Sequence, residues 1–146
     1  MQRILFYEES QEYGWCSNFA SCPILLNSQL WPTTEHYYQA MKYAGLPYAE
    51  IVRQAYSPMV SKVLTRDPQH APRSDWDDVK DAVMLEAVRA KFMQHSHLRA
   101  LLLATGDAEL VEHTVNDSYW GDAGDSSGRN QLGRTLMQVR DEIRVR

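Results

Sequence analysis

The apolar positions of the chain form short runs near the N-terminus and helical stripes after it. Two of the runs, Pro23–Leu26 and Gln29–Trp31, predict a hairpin, because the dipeptide between them, Asn27-Ser28, has turn composition. Arg3–Tyr7 predicts a separate strand, and the weakly alternating Glu109–Thr114 predicts a short strand or a helical turn. We therefore expect a few short strands.

Helices account for most of the remaining pattern, and capping residues or a proline at the first position mark where they begin. The predicted helices cover Thr34–Ala44, Pro47–Ala55, Ser57–Leu64, Ser74–Gln94, Ser96–Ala104 and the segment from Asn130 onward. Ser57, Ser96 and Asn130 are expected to cap their helices. The last helix turns one apolar face inward, formed by Leu132, Leu136, Val139 and Ile143. The expected fold is α+β, mostly helical, in a single domain over residues 1–146.

The first predicted helix has two different faces. Thr33 or Thr34 can cap it. At roughly 100° per residue, one face bears Glu35, Tyr38, Gln39 and Lys42, and the other bears Tyr37, Ala40, Met41 and Ala44. The second face is typical of a core. The first is either a solvated surface, which is the commoner case, or a reactive site on a rigid element.

A second polar segment, Asn116–Gly128, contains three glycines, three aspartates and an aromatic pair. It predicts an ordered, irregular loop. Because it leads into a helix, Gly121, Gly124, Gly128 and Asn130 could hold a phosphate with free backbone N–H groups. A surface loop with turn glycines is an equally good interpretation.

Composition and charge exclude several classes of function. With 44% hydrophobic and 23% charged residues the chain has ordinary globular composition. A net charge of −4 argues against strong non-specific binding of nucleic acid. No apolar run is long enough to cross a membrane. The two cysteines, Cys16 and Cys22, match no zinc pattern and no secretory signal is evident, so we expect free thiols, a cytoplasmic location and no metal or organic cofactor.

Several short motifs follow one another in a specific order, from about Ile4 to Arg140. They are Ser17-Asn18-Phe19; Thr34-Glu35-His36-Tyr37-Tyr38-Gln39-Ala40 with Lys42; Arg73-x-Asp75-Trp76 with Lys80, Met84 and Lys91-Phe92; and Asp117 with Trp120-Gly121, Gly128, Asn130, Leu132-Gly133, Leu136-Met137 and Arg140. Together they resemble the NADAR family, in its compact YbiA-like N-glycosidase branch.

This resemblance implies an enzyme that hydrolyses N-glycosidic bonds. Members act on phosphoribosylamino-pyrimidine intermediates of riboflavin biosynthesis or remove ADP-ribose from guanine. Glu35, Lys42 and Asp117 match the family's catalytic positions, and the lysine is thought to form a Schiff base in the guanine-directed enzymes. The substrate-binding positions implied are Trp15, Asn18, Phe19, Tyr38, Trp76, Trp120, Gly121 and Asn130. The chain departs from the pattern at Cys16, where an apolar residue is common, and at Ala123, where a glycine is common.

Hydrolysis of an N-glycosidic bond requires the same kinds of catalytic group, a carboxylate or a neutral amine. Cleavage of a C1–N bond builds positive charge on the sugar, which a carboxylate stabilises, and Glu35 and Asp117 could share such roles. Asp117 is equally well explained as a turn residue. A neutral lysine could instead capture C1 as an imine. We expect a phosphoribosylamino-pyrimidine as the small-molecule substrate. The alternatives are removal of ADP-ribose from guanine and a non-catalytic module that binds an ADP-ribosyl or phosphoribosyl ligand.

Overall fold

A computed structural model of the protein describes residues 2–145. Within them are six α-helices, four strands and two short 3₁₀ turns. The strands are β1 (Arg3–Phe6), β2 (Ile24–Leu26), β3 (Gln29–Trp31) and β4 (Glu109–Glu112); the helices are α1 (Thr34–Ala40), α2 (Pro47–Arg53), α3 (Pro58–Leu64), α4 (Trp76–Gln94), α5 (Ser96–Ala104) and α6 (Gln131–Arg144). The 3₁₀ turns cover Gly14–Cys16 and Met41–Tyr43. The α+β, mostly helical fold class is confirmed.

The chain divides into two compact units. The first unit contains the chain up to Ala20 and from Phe92 onward, and the second contains Ser21–Lys91. Among the described residues, no helix combines the length and apolarity needed to cross a membrane.

In the first unit, β1 and β4 pair in parallel, with Arg3 opposite Glu109 and Phe6 opposite Glu112. Helix α6 packs on β4, and α5 packs on α6. The four apolar residues predicted for the inner face of α6 are all buried, as amphipathic periodicity requires. Because it pairs with β1, the segment Glu109–Glu112, predicted as either a strand or a helical turn, is a strand.

The beginning of α6 differs from the prediction. Asn130 occupies the cap position in a left-handed conformation, with φ of 54°, but its side chain makes no capping bond. Its amide oxygen accepts from the Glu112 N–H and its amide nitrogen donates to the Leu110 carbonyl, each at 2.9 Å. A Cβ added at Gly133 would lie 2.0 Å from that carbonyl oxygen. Asn130 and Gly133 thus fasten α6 to β4.

In the second unit, the β2–β3 hairpin forms as predicted, with Ile24 opposite Trp31. Both residues belong to an aromatic-rich core that also contains Tyr37, Tyr43 and Tyr48. The Trp31 and Tyr37 rings meet edge to face with centroids 5.0 Å apart, a favourable geometry for an aromatic pair.

Besides α6, two helix starts follow the predicted caps and one does not. The Thr33 hydroxyl accepts from the His36 N–H, and the Ser57 hydroxyl accepts from the Val60 N–H, each at 3.1 Å. Helix α5 begins at Ser96, so the cap position falls to His95, whose side chain makes no capping bond. The prediction of Ser96 as a cap is wrong by one position.

Helix α1 is shorter than predicted. It ends at Ala40 and continues as the 3₁₀ turn Met41–Tyr43, which tightens the chain before Gly45. Gly45 then takes a φ of 82°, a conformation that suits glycine. Ala44, predicted for the core face, is exposed because the helix has ended before it.

Ala123 carries measurable backbone strain. Its φ is 61°, in the left-handed region where an L-residue costs about 1–2 kcal/mol. We expect Ala123→Gly to stabilise the protein by about 0.5–1 kcal/mol, since the relieved strain exceeds the added flexibility of the unfolded chain. Thermal denaturation should show a Tm about 1–4 °C higher. Ala100→Gly, on the exposed face of α5, is the control and should lower Tm. An unchanged or lower Tm for Ala123→Gly would contradict the strain.

Candidate active site

The polar face of α1 is buried. Glu35 is 7% exposed, Gln39 is 4% exposed, and Tyr38 is buried with them. A solvated helix face would leave these side chains in water, so the surface interpretation of this face is wrong. Burial of a carboxylate is costly unless hydrogen bonds compensate it, which makes the partners of Glu35 informative.

A chain of hydrogen bonds leads from Glu35 to Lys42. The Gln39 amide donates to Oε2 of Glu35 at 2.7 Å, and the Gln39 amide oxygen accepts from the Thr65 hydroxyl at 3.0 Å. The Lys42 amine donates to the same hydroxyl oxygen over a longer 3.5 Å. The Thr65 hydroxyl also lies 2.8 Å from the Lys62 carbonyl, a second acceptor for its single proton. Two neutral side chains therefore link the carboxylate to the amine.

Lys42 faces two aromatic rings. Its Nζ lies 5.7 Å from the centre of the Tyr38 ring and 5.9 Å from that of Trp76. These two rings meet each other at 5.1 Å in an edge-to-face arrangement. Both distances are within the range of a cation–π interaction. The structure thus brings four of the predicted site residues, Glu35, Tyr38, Lys42 and Trp76, into one neighbourhood of the second unit.

The environment of Lys42 lowers its pKa. The largest cause is burial, which disfavours the charged ammonium. Glu35 opposes this by attracting the charge, while the cations Lys62, Arg66 and Lys80 repel it and lower the pKa further. A lysine in such surroundings is neutral over a wider pH range than a lysine in water.

The other predicted site residues lie in the first unit. The Trp15 ring contacts the rings of Phe92 and Tyr13, with centroids 6.0 Å and 6.2 Å apart. Asn18 is buried, and the Phe19 N–H donates to the Ser17 hydroxyl at 3.1 Å. This short loop is well packed. Cys16, one of the two departures from the family pattern, is among its buried residues. Substrate binding by Trp15, Asn18 and Phe19 stays a prediction.

Asp117 shapes the turn that holds Trp120. Its Oδ1 accepts from the Tyr119 N–H at 2.9 Å and from the Trp120 N–H at 2.8 Å. These are the hydrogen bonds expected of an aspartate that stabilises a turn, which is the alternative interpretation of Asp117. The rings of Tyr119 and Trp120 meet at 5.1 Å, edge to face. A catalytic role for Asp117 and a binding role for Trp120 stay predictions.

The glycine-rich loop uses its N–H groups internally. The N–H groups of Gly128, Asn130 and Gln131 donate to the carbonyls of Asp122, Gly121 and Tyr119. The Gly124 N–H also has a partner, Oδ1 of Asp122. These bonds favour the alternative interpretation, a loop with turn glycines, over a phosphate site built from the free N–H groups of Gly124, Gly128 and Asn130.

The structure explains why a glycine occupies position 121 and an asparagine position 130. A Cβ at Gly121 would lie 2.8 Å from Thr114 Cγ2 and 2.9 Å from the Asp117 carbonyl oxygen, so any side chain would force the loop apart. Asn130 bonds β4 as described above. Their predicted contacts with substrate remain predictions.

A buried carboxylate that the prediction overlooked is Asp122. Its Oδ1 accepts from the Thr114 and Gly124 N–H groups, and its Oδ2 lies 2.9 Å from His113 Nδ1. Burial by itself raises the pKa of this carboxyl, but the hydrogen bonds outweigh it and the pKa is lowered. Asp122 is the centre of the loop's bonding and stabilises its shape.

His36 is a structural histidine. Its Nε2 lies 3.1 Å from the Ala55 carbonyl and its Nδ1 lies 2.8 Å from the Thr33 hydroxyl. A carbonyl accepts only from an N–H, so Nε2 carries the proton and Nδ1 accepts from Thr33. Burial lowers the pKa of His36, which agrees with this neutral form. Across residues 2–145, no group of three His, Cys, Asp or Glu side chains is placed to hold a metal ion.

A cavity of about 470 Å³ lies in the first unit, at the beginning of α6. Arg3, Arg129 and Arg134 line it together with Glu109 and Asp122. Glu109 is paired with Arg3 at 2.9 Å, and Asp122 is committed to the loop. The cavity thus lacks the half-buried amine and linked carboxylate of the Lys42 neighbourhood, which is the stronger candidate for chemistry.

The prediction also missed Thr65. It lies 23 residues from Lys42, at the end of α3, and nothing in the local sequence marks it as different from any helix-terminal threonine. Gln39 was predicted on the correct face but was not included in the site. Its spacing of four residues from Glu35, one helical turn, could have indicated the bond between them.

Comparison with known proteins identifies the family and the fold. The family model of the NADAR domain matches residues 5–144. The chain belongs to the NADAR family. Curated NADAR relatives include the N-glycosidase YbiA of Escherichia coli (strain K12), which is 50% identical over 142 residues, or 97% of this chain and 89% of the relative. An N-glycosidase of Nostoc punctiforme is 44% identical over 144 residues, or 97% of this chain and 92% of the relative.

Two further comparisons extend the relationship. A riboflavin biosynthesis protein of Vibrio vulnificus is 45% identical over 97% of this chain, which matches 39% of that longer protein. The NMR structure of Escherichia coli YbiA superposes with a TM-score of 0.90 at 49% identity, covering 99% of this chain and 86% of that one. The chain is thus a YbiA-like member of the NADAR family and, like its close relatives, a hydrolase acting on N-glycosyl compounds.

Proposed function

We propose that the protein hydrolyses the N-glycosidic bond of a phosphoribosylamino-pyrimidine intermediate of riboflavin biosynthesis, releasing ribose 5-phosphate and the free base. The observation that carries this proposal is the link between the buried Glu35 and the half-buried Lys42 through Gln39 and Thr65. The relatives named for N-glycosidase activity and for riboflavin biosynthesis support the choice of substrate.

In the proposed reaction, Lys42 acts as a nucleophile. Its neutral amine attacks C1 of the sugar, and the C1–N bond breaks with its electron pair passing to the base, which takes up a proton. The sugar ring then opens to give an imine between C1 and Nζ. Water adds to this carbon, releasing the sugar aldehyde and restoring the amine. Because the pKa of Lys42 is lowered, a larger fraction of its amine is neutral at a given pH than for a lysine in water.

Glu35 is proposed to act on the charge and on the protons. As a carboxylate it stabilises the positive charge that develops at C1 while the base departs, and it can then activate water. Its burial strengthens both effects, because a low dielectric screens the charges less than water does. The bond from Gln39 holds one oxygen in place and leaves the carboxylate oriented.

The aromatic residues are proposed to hold the base. Tyr38 and Trp76 lie beside Lys42, and stacking of a base on such rings contributes about 1–3 kcal/mol. We propose that Asp117, Trp15 and Trp120 also serve the reaction, as the family resemblance implies. A cytoplasmic location agrees with the free thiols of Cys16 and Cys22.

The second candidate function is removal of ADP-ribose from guanine, favoured by the lysine with a lowered pKa. Product analysis separates the possibilities. Incubation with a phosphoribosylamino-pyrimidine should release base and ribose 5-phosphate faster than incubation with ADP-ribosylated guanosine releases guanosine. The reverse preference would establish the second candidate. A thermal shift with either ligand but no product would indicate a binding module.

The pH dependence of kcat distinguishes a nucleophilic Lys42 from a charged one. Below its lowered pKa the lysine is protonated and cannot attack, so kcat should rise with pH and level off above that pKa, at a pH below that of an ordinary lysine. If the ammonium only anchors an anion, kcat should not rise over the same range, and KM should increase as the charge is lost. Rates measured between about pH 7 and 10.5 lie above the phosphate ionisation near pH 6 and isolate this group.

A further inference from the structure

A histidine and an aspartate of the first unit form a pair that the reaction described above does not use. His113 directly follows β4, and its Nδ1 lies 2.9 Å from Oδ2 of Asp122. The Asp122 side chain is 4% exposed, whereas the His113 side chain is 47% exposed. We call these two residues the His–Asp pair. A buried carboxylate that holds a half-exposed imidazole is an arrangement that orients a histidine for proton transfer.

Backbone hydrogen bonds fix both members of the pair. Oδ1 of Asp122 accepts from the Thr114 N–H at 3.1 Å and from the Gly124 N–H at 2.8 Å. The His113 N–H donates to the Phe6 carbonyl at 2.8 Å, which ties the histidine to the end of β1. Because Oδ1 is occupied by the backbone, Oδ2 is the oxygen that meets the imidazole.

The ring of His113 has one nitrogen engaged and one available. The pKa of Asp122 is lowered: burial raises it, but the bonds from His113 and from the two backbone N–H groups outweigh burial. An ionised carboxylate can only accept, so Nδ1 of His113 carries a proton. Across residues 2–145, the bond to Asp122 is the only hydrogen bond of the His113 ring, and Nε2 is therefore available to a substrate.

His36 shows the contrasting case in the same protein. Its ring is buried, and its two nitrogens are engaged by the Thr33 hydroxyl and the Ala55 carbonyl. Such a histidine has no nitrogen left for a substrate. About half of the His113 side chain is exposed and one of its nitrogens has no bond, so packing alone does not account for it.

The His–Asp pair is built into the loop that bears Asp117 and Trp120. The Ala123 N–H, next to Asp122, donates to the Asp117 carbonyl at 3.1 Å. A Cβ at Gly121 would lie 2.9 Å from the same carbonyl oxygen, so the chain passes itself closely here. Three residues that the family resemblance assigns to the site thus share one tightly folded loop with the pair.

The proposed reaction requires a proton that none of its residues supplies. When the C1–N bond breaks, the electron pair passes to the nitrogen of the departing base, which leaves more easily if it gains a proton in that step. Lys42 is then the nucleophile, and Glu35 is the carboxylate that stabilises the sugar cation. A group of a different kind is needed, and histidine is the side chain that gives and takes protons near neutral pH.

We propose that His113 is the general acid of this reaction, that it donates its Nε2 proton to the departing base, and that Asp122 is its positioning residue. This inference rests on the proposed function, because it completes the same step. The Nε2–H bond breaks as the proton joins the base nitrogen, and the imidazolium becomes a neutral imidazole that keeps Nδ1–H on Asp122. The water that adds to C1 later gives up a proton, which restores the imidazolium.

The test compares His113→Asn with His97→Asn as a control. The asparagine amide nitrogen can take the place of Nδ1 and keep the bond to Asp122, but an amide is not an acid. His97 is exposed on α5 and undergoes the same change. We expect kcat for release of free base to fall about 10²- to 10⁴-fold in His113→Asn with KM nearly unchanged, since the proton moves only in the transition state. The control should match wild type.

Added imidazole gives a readout that a structural role would not produce. In His113→Ala, free imidazole can replace the missing ring and should raise kcat by on the order of 10-fold. Asp122→Asn keeps the ring but loses the charge that orients it, so kcat should be low and imidazole should not restore it. Unfolding transitions of the variants show which of them fold. If His113→Ala does not fold, His113→Asn still decides the role of His113, because it keeps the bond to Asp122.

Three results would contradict this role of His113. Release of base by His113→Asn at the wild-type rate would overturn the general acid and leave Glu35 and Lys42 in place. A folded His113→Ala whose lost activity imidazole does not restore would make the histidine structural. If wild type releases no base from a phosphoribosylamino-pyrimidine or from ADP-ribosylated guanosine, the proposed function fails and the general acid fails with it.

Discussion

Replacement of Glu35 by glutamine is expected to leave a folded protein whose kcat is about 10²- to 10⁴-fold lower. The change keeps the shape of the side chain, and an amide oxygen can still accept the bond from Gln39 that the carboxylate accepts at 2.7 Å. What is lost is the negative charge that stabilises the sugar cation and the base that activates water. Steady-state release of free base, measured together with the unfolding transition, checks both parts.

Glu50→Gln is the matched control for this variant. Glu50 lies on α2, is bound by Arg53, and undergoes the same loss of charge. Its ion pair is exposed and screened by water, so its loss should leave activity near that of wild type. Turnover by Glu35→Gln within a few-fold of wild type would exclude an essential carboxylate.

Lys42 should be trapped on the substrate by borohydride during turnover. Reduction of a C=N bond leaves a stable secondary amine, so mass spectrometry should find the sugar phosphate on the peptide containing Lys42. Lys42→Met and Lys42→Arg should both lose kcat by on the order of 10³- to 10⁶-fold, since neither side chain supplies a nucleophilic amine.

Arginine at this position is the informative variant, because it keeps the charge near Tyr38 and Trp76. Near-normal turnover by Lys42→Arg, with no reduced adduct in wild type, would make Lys42 an electrostatic anchor. The same borohydride experiment on Glu35→Gln tests the step at which Glu35 acts. A trapped adduct in that variant would show that the imine forms without the Glu35 carboxylate, so that Glu35 acts in a later step.

Local patterns predicted all six helices and the caps of α1 and α3. Ser57 followed by Pro58 marks the start of α3, and the periodicity of α6 predicted its buried face, because both signals depend on neighbouring residues alone. The face of α1 that bears Glu35 and Lys42 could also be predicted. Its burial could not, since a helical pattern does not say what covers a polar face.

Long-range contacts explain what the patterns missed. β1 pairs with β4 across more than a hundred residues, and Thr65 meets Lys42 from another helix. Asn130 has the composition of a cap but bonds β4 instead, because its left-handed backbone turns the side chain toward that strand. Such partners are set by packing, which no local signal records.

The phosphate prediction shows the same limit in another form. Glycines before a helix are compatible with a phosphate loop, but whether the N–H groups are free depends on the carbonyls that the loop folds against. Here the carbonyls of Gly121 and Asp122 accept them.

The central claim is that Glu35 and Lys42 together cleave an N-glycosidic bond. The most direct measurement is the release of free base and ribose 5-phosphate from a phosphoribosylamino-pyrimidine, with wild type, Glu35→Gln and Lys42→Met compared at equal concentration of folded protein. We predict that wild type releases the two products in equal amounts and that each variant loses nearly all of this activity. Release at the wild-type rate by both variants, or no release by wild type, would contradict the claim.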